Sequence, residues 1–171
     1  YNESVENSII IKNKFMNLQK VILFLLRVSL GALFLYAGMT KVLDPNWSAA
    51  GYLLGAKSIV GFYHWLAQPG IISYIDFVNK WGLTLLGISL LLGIGVRISS
   101  VLGALLMALY YLPQDFPYPN KNSFIVDEHV IYAFMLLFFA AVQAGRIWGL
   151  DEWCVKLPIC AKYPKLRALF G

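Results

Sequence analysis

The chain has 171 residues, 59% of them hydrophobic and 13% charged, with a formal charge of +5 and a mean hydropathy of +0.66. Average soluble domains carry about 25% charged residues, and here the apolar residues are gathered into four long blocks instead of being spread at helical or strand periods. These features exclude an ordinary soluble domain. The cations flank apolar blocks without interleaved aromatics, so the expected partner is the lipid bilayer and not nucleic acid.

Residues 1–17 read as a polar tail carrying Glu3, Glu6, Lys12 and Lys14, without signal-peptide architecture. An apolar helix is expected over 18–43, long enough to cross a bilayer and retained in the protein. Arg27, Gly31, Phe34, Gly38 and Lys41 fall within an arc of about 80° on that helix, with Tyr36 on the opposite side. A face with two small residues between two cations expects a protein partner or a buried polar group. Asp44 and Pro45 end the helix.

Residues 46–72 are too polar and broken for a span. Trp47, Tyr52, Phe62, Tyr63 and Trp65 suit a headgroup belt, so one or two short interfacial helices are expected there. A second long helix follows over 72–93, with Asp76 and Lys80 spaced to pair near its start. Glycines 93 and 95 mark a tight turn into a third helix over 98–112, and the proline-rich stretch 113–125 is a loop. The fourth helix is expected over 126–148, and 149–171 read as a basic cytoplasmic or interfacial tail.

The fold class is therefore all-α: an integral membrane four-helix bundle over 18–148, with short interfacial helices between helices 1 and 2. Four spans place both termini on one side. The cations there are Lys12, Lys14, Lys20, Arg97, Arg146, Lys156, Lys162, Lys165 and Arg167, against Lys41, Lys57, Lys80 and Lys121 on the other side. That asymmetry puts both termini in the cytoplasm of a cell whose inner membrane holds the protein.

The polar residues collect at two ends. The outer end holds Lys41, Asp44, Asp76, Glu128 and His129, and the inner end Arg27, Arg97 and Arg146. Asp127 suits a helix N-terminus. His129 shares a stripe with Tyr132, Leu136 and Gln143, and a polar stripe on a membrane helix faces protein or a cavity. One reading of the outer end is a quinone-headgroup pocket, since a quinone needs a donor at each carbonyl and a proton route. His129 and Glu128 are then the catalytic residues, and Lys41, His129, Tyr132 and Arg27 bind the cofactor. The other reading is structural: Lys41 pairs with Glu128 or Asp44 and fixes helix 1 against helix 4. For Arg27 the alternatives are snorkelling to cytoplasmic headgroups, or binding a buried acid, a lipid phosphate or a ligand. Two histidines, His64 and His129, and two cysteines, Cys154 and Cys160, make no metal set. No haem, metal or nucleotide is expected, and the two cysteines are expected to be free.

These residues carry a family resemblance. RVSLGALFLYAGMTKVLDP, with Arg27, Gly31, Tyr36-Ala37-Gly38 and Lys41, resembles the opening helix of the DoxX/DoxD membrane proteins. WGLTLLGISLLLGIGVR resembles the family's second helix, and DEHVIYAFMLLFFAAVQAGRIWGLD, ending Gly145-Arg146…Gly149-Leu150-Asp151, its fourth. The resemblance spans about residues 18–153 and implies a four-helix membrane protein. One branch of the family is the membrane subunit of thiosulfate:quinone oxidoreductase, which passes electrons from thiosulfate to quinone. The aromatic segment after helix 1 looks more like that DoxD-type branch. The resemblance equally implies an accessory subunit, held by protein partners in a larger respiratory or photosynthetic membrane complex.

Overall fold

The structure, a computed structural model, describes residues 2–115 and 124–155, with side chains described over 15–115 and 124–153. Every regular element among the described residues is helical. In order they are α1 (Asn2–Leu43), α2 (Ala50–Leu54), α3 (Val60–Leu66), α4 (Ile72–Leu92), α5 (Val96–Tyr111), α6 (Glu128–Ala141), a 3-10 turn (Ala144–Arg146) and α7 (Leu150–Val155). Two stretches are long and apolar enough to cross a membrane: Phe15–Leu43 within α1, and Ile72–Leu92. The polar segment at the N-terminus is not a separate tail, because the helix runs unbroken from Asn2.

α1 packs chiefly on α4, and α5 on α6. The α1 face seen in the sequence is the one that packs: Arg27, Leu30, Gly31, Phe34 and Gly38 are buried, while Tyr36 is 74% exposed. Glycines set the separation of the two axes. A Cβ at Gly38 would lie 2.5 Å from the Thr84 amide nitrogen, and one at Gly87 would lie 2.6 Å from Leu35 Cα. In lipid no hydrophobic force draws helices together, so close van der Waals approach of this kind is what holds them. Gly103 does the same where three helices meet, since a Cβ there would lie 2.7 Å from Leu86 Cδ2 and 3.0 Å from Leu136 Cδ1. The shared core is Leu30, Phe34, Leu83, Leu90, Leu136 and Phe139 with their neighbours.

The α4–α5 turn depends on two left-handed residues, Gly93 at φ 69° and Gly95 at φ 61°, a conformation glycine adopts without steric cost. It lets α5 begin at Val96, two residues before the sequence expectation. α6 ends at Ala141, seven residues before the expected Trp148, because Gln143 turns left-handed at φ 52° and the chain tightens into the 3-10 turn. Residues 149–155 are therefore not a loose tail. They fold back as α7, with Asp151 buried. The remainder of the expected tail, 156–171, and the loop residues 116–123 lie outside the described residues.

The segment between α1 and α4 forms two short helices, as its composition suggested, around a cluster of Ala49, Leu53 and Tyr63. It is pinned to the C-terminal end of α5. The last carbonyls of a helix have no partner within it. Tyr63 Oη donates to Leu109 O at 3.0 Å, the Tyr52 hydroxyl donates to Tyr110 O, and Lys57 N donates to Pro113 O at 2.8 Å. Asp76 does not pair with Lys80. Its carboxylate accepts from Ala49 N at 2.7 Å, because the incoming chain crosses the start of α4 at that point.

Candidate functional site

Each of the two polar ends expected from sequence keeps only part of its set together. At the outer end, Lys41, Trp47, Ser48, Ala49, Tyr52, Asn79, Tyr110 and His129 line a cavity of ≈ 300 Å³, at the lower end of ligand-site volumes. Lys41 comes from α1, Asn79 from α4, Tyr110 from α5 and His129 from α6, so all four long helices contribute. Lys41 Nζ donates to Ala37 O at 2.9 Å and stands 5.5 Å from the Trp47 ring centroid. Lys80 stands 5.6 Å from the same ring, so Trp47 presents its negative π face to two cations. The Lys41 ammonium has three donors and spends one on Ala37. The expected pairing of Lys41 with Glu128 or Asp44 is not present.

His129 is fixed by the residue that starts its helix. Asp127 is the N-cap of α6 and accepts from Val130 N at 3.1 Å. Its second oxygen lies 2.7 Å from His129 Nδ1 and 3.3 Å from Gln114 Nε2. An N-cap side chain folds back over the first turn, which is where residue 129 sits. With Nδ1 held by the carboxylate, Nε2 is the ring nitrogen left for a ligand. In the neutral ring it accepts, and in the imidazolium it donates. The Tyr110 hydroxyl donates to Asn79 Oδ1, while Asn79 Nδ2 donates to Ile75 O at 2.8 Å. The Tyr110 ring meets His129 edge-on at 5.8 Å between centroids. Desolvation pushes the Tyr52 hydroxyl up from its ordinary value, the Gln114 side chain opposes this, and Asp127 adds to it.

Of the residues expected to form the site, Lys41 and His129 come together here. Glu128 does not join them. At the first helical position its side chain turns outward, and it is exposed. Tyr132 is one turn too deep and packs edge-on against Phe34, with ring centroids 5.9 Å apart. Arg27 is about 21 Å along α1 from Lys41. Asp127, Asn79 and Tyr110 were not assigned to the site from sequence. Asn79 had the clearest signal, a carboxamide in a helix of membrane-spanning length, between Asp76 and Lys80.

At the inner end Arg27 is 0% exposed, so it does not snorkel. Nη1 donates to Ala144 O at 2.5 Å and Nη2 to Trp148 O at 3.3 Å, carbonyls freed where α6 breaks. The buried acid near it is Asp151. Asp151 accepts from Gly95 N at 2.7 Å and Val96 N at 3.2 Å, capping α5 from another element. Burial pushes the Asp151 carboxyl up from its ordinary 3.8, opposed by those two amides and by Arg27 and Arg146. Gly93, Gly145 and Gly149 make room for this group. A Cβ at Gly93 would lie 2.6 Å from Gly149 Cα and 2.9 Å from Arg27 Nη1. The protein thus takes up Nη1 and Nη2 of Arg27, while its Nε is buried without a hydrogen-bond partner among the described residues. Arg146, placed at the same end from sequence, is exposed. Among the described residues no group of histidine, cysteine or acidic side chains could hold a metal ion. Cys160 lies outside the described residues, as does the side chain of Cys154.

The family model described as DoxX matches residues 22–112, more than half of the chain. The chain belongs to the DoxX family. No curated protein and no solved structure matches it. The DoxX match takes in Arg27, Lys41, Asn79 and Tyr110 and ends before Asp127, His129 and Asp151. It is therefore shorter than the span over which the sequence resembles the family. Together with the two long apolar helices, it makes this a membrane protein of the DoxX type.

Proposed function

We propose that the chain is a four-span, DoxD-like membrane subunit of a quinone-linked oxidoreductase, and that its outer cavity takes the quinone headgroup. On this reading α5 and α6, shorter than the two long apolar helices, also cross the inner membrane, with α2 and α3 at its outer surface and both termini in the cytoplasm. One observation carries the reading: Lys41 and an Asp127-oriented His129 line a single aromatic-walled cavity.

The residues present fit the group. A quinone ring has two carbonyl acceptors and an apolar face. The cavity offers the Lys41 ammonium, the His129 Nε2 and the flat rings of Trp47 and Tyr110. When bound, a quinone supplies a two-electron, two-proton acceptor, and two thiosulfate ions joining as tetrathionate would supply the two electrons. The chain's own part is to bind and to move protons. Lys41 would hold one carbonyl oxygen through its side-chain nitrogen. His129 would meet the other through Nε2 and serve as the proton carrier, with Asp127 orienting the ring through Nδ1. Glu128, which the sequence suggested for this work, is outside the cavity, and Asp127 takes its place.

The accessory-subunit reading has one observation in its favour, namely that both groups are also held internally, Lys41 on Ala37 O and His129 on Asp127. The test is to purify the protein with its native partners and measure thiosulfate-dependent quinone reduction, together with quinone binding to wild type, His129→Ala and Lys41→Met. Loss of both activities in variants that still assemble supports the quinone-linked reading. An intact complex without turnover or quinone binding overturns it in favour of an accessory subunit.

A further inference from the structure

A second cavity, of ≈ 520 Å³, runs between α4 and α5. Val78, Gly82 and Leu85 form one wall, and Leu102, Leu105 and Leu109 the other. All five of the larger side chains are exposed. The groove exists because α1 lies on α4 and α5 lies on α6, so α4 and α5 touch each other least of these three helix pairs. At one end it is closed by the Ser89 and Ser99 hydroxyls, 2.6 Å apart. At the other end it reaches Val78 and Leu109. Their chain neighbours Asn79 and Tyr110 line the polar cavity and are hydrogen-bonded to each other. Groove and cavity share no lining residue, and that bond lies between them. From Val78 to Ser89 along α4 the groove is about 16 Å long, at 1.5 Å per residue. That length suits an extended hydrocarbon tail.

We infer that the ligand of the polar cavity is a tailed amphiphile admitted sideways from the bilayer, its hydrocarbon tail lying in the α4–α5 groove and its head passing the Asn79–Tyr110 bond. The inference deepens the proposed reading of the cavity and rests on it. A small hydrophilic ion gains nothing from an apolar groove open along its length. A tailed head gains one site for each of its parts, in register along the same two helices. The Asn79–Tyr110 bond links α4 to α5 at the junction, so it is the contact the head must displace.

Gly82 supplies a clean test, because a Cβ added there meets no atom within 4 Å. Gly82→Phe therefore enters the groove from a position whose Cβ is unopposed, and Gly82→Leu is a smaller second variant. Two probes are titrated against detergent-purified protein: a decyl-substituted benzoquinone, and the same ring with methyl in place of decyl. The expected result is that Gly82→Phe weakens the decyl compound about tenfold and leaves the methyl compound unchanged, with Gly82→Leu intermediate. His129→Ala weakens both compounds equally. Decyl binding untouched by either Gly82 variant overturns the inference while leaving the headgroup reading intact. If neither probe binds wild type, the headgroup reading fails, and native mass spectrometry of the mildly extracted protein decides the groove. A long-chain amphiphile retained by wild type and lost from Gly82→Phe sustains the tail site. Its absence, or equal retention of phospholipid by both proteins, overturns it.

Discussion

Replacing Asp151 by alanine is expected to destabilise the protein by about 3 kcal/mol, although residues 149–171 read as a tail. The carboxylate accepts from Gly95 N at 2.7 Å and Val96 N at 3.2 Å, and the residue is 2% exposed. Losing it leaves two buried amides unpaired, at about 1–3 kcal/mol each. Arg27 stays buried with a nearby countercharge gone, but it makes no direct ion pair with Asp151, so the two amides set the magnitude. Against this, the variant no longer has to bury a carboxylate, which keeps the total near the lower bounds. Asp151→Asn retains one acceptor oxygen and is expected to lie between the two. The assay is thermal unfolding in a mild detergent, followed by intrinsic fluorescence. An Asp151→Ala protein that melts with the wild type would refute the capping role outright. There is a pH signature as well. Burial raises the folded carboxyl above its ordinary 3.8, so the folded state binds more protons in the window just above that value. Stability then falls as pH rises through the window and levels off above it. Asp151→Asn is expected to lose that slope.

The glycine contacts give a matched pair. Gly87→Val places its Cβ 2.6 Å from Leu35 Cα and is expected to cost about 2 kcal/mol or more. Gly82→Ala on the same helix meets nothing within 4 Å and is expected to be neutral or to stabilise by up to about 1 kcal/mol. Melting curves of the two variants check both. At the outer cavity, Asp127→Ala is expected to lose about 1 kcal/mol of helix capping and to weaken quinone binding by freeing the His129 ring. Glu128→Gln is expected to leave binding unchanged, and a titration in which Glu128→Gln is the weaker binder would return the acid role to Glu128.

What the sequence made legible was periodicity. Arg27, Gly31, Phe34 and Gly38 share a face because 3.6 residues make a turn, and that face is the one packed against α4. The 46–72 segment was legible as short helices from its glycines and aromatics. The site was half legible. Lys41 and His129 were chosen because charges in apolar helices are costly. Glu128 was preferred to Asp127 although both acids start the same helix, and only the cap geometry shows which carboxylate turns back toward residue 129. The end of α6 was illegible for a related reason. Gln143 adopts a left-handed conformation at φ 52°, and nothing in its side chain favours that. Contacts far along the chain impose it, through Arg27 on Ala144 O and Trp148 O.

The positions of the charged residues follow from the lengths of the helices, if α5 and α6 cross the membrane as proposed. With 16 and 14 residues they span about 24 and 21 Å, against a hydrocarbon core of about 30 Å. Their ends then lie where water cannot satisfy the last turns. Each end instead has a protein partner: Asp151 on the first amides of α5, Tyr52 and Tyr63 on its last carbonyls, Asp127 on the first turn of α6, and Arg27 on the carbonyls just beyond its end. Arg27 and Asp151 therefore replace water at depth, and their value depends on how deep the ends are. The cost of Asp151→Ala, measured after reconstitution, is expected to shrink in short-chain lipids, whose thinner core brings the α5 N-terminus nearer water, and to grow in long-chain lipids. A cost independent of lipid thickness would show that the α5 N-terminus does not lie within the hydrocarbon core, and the four-span reading would lose its physical basis.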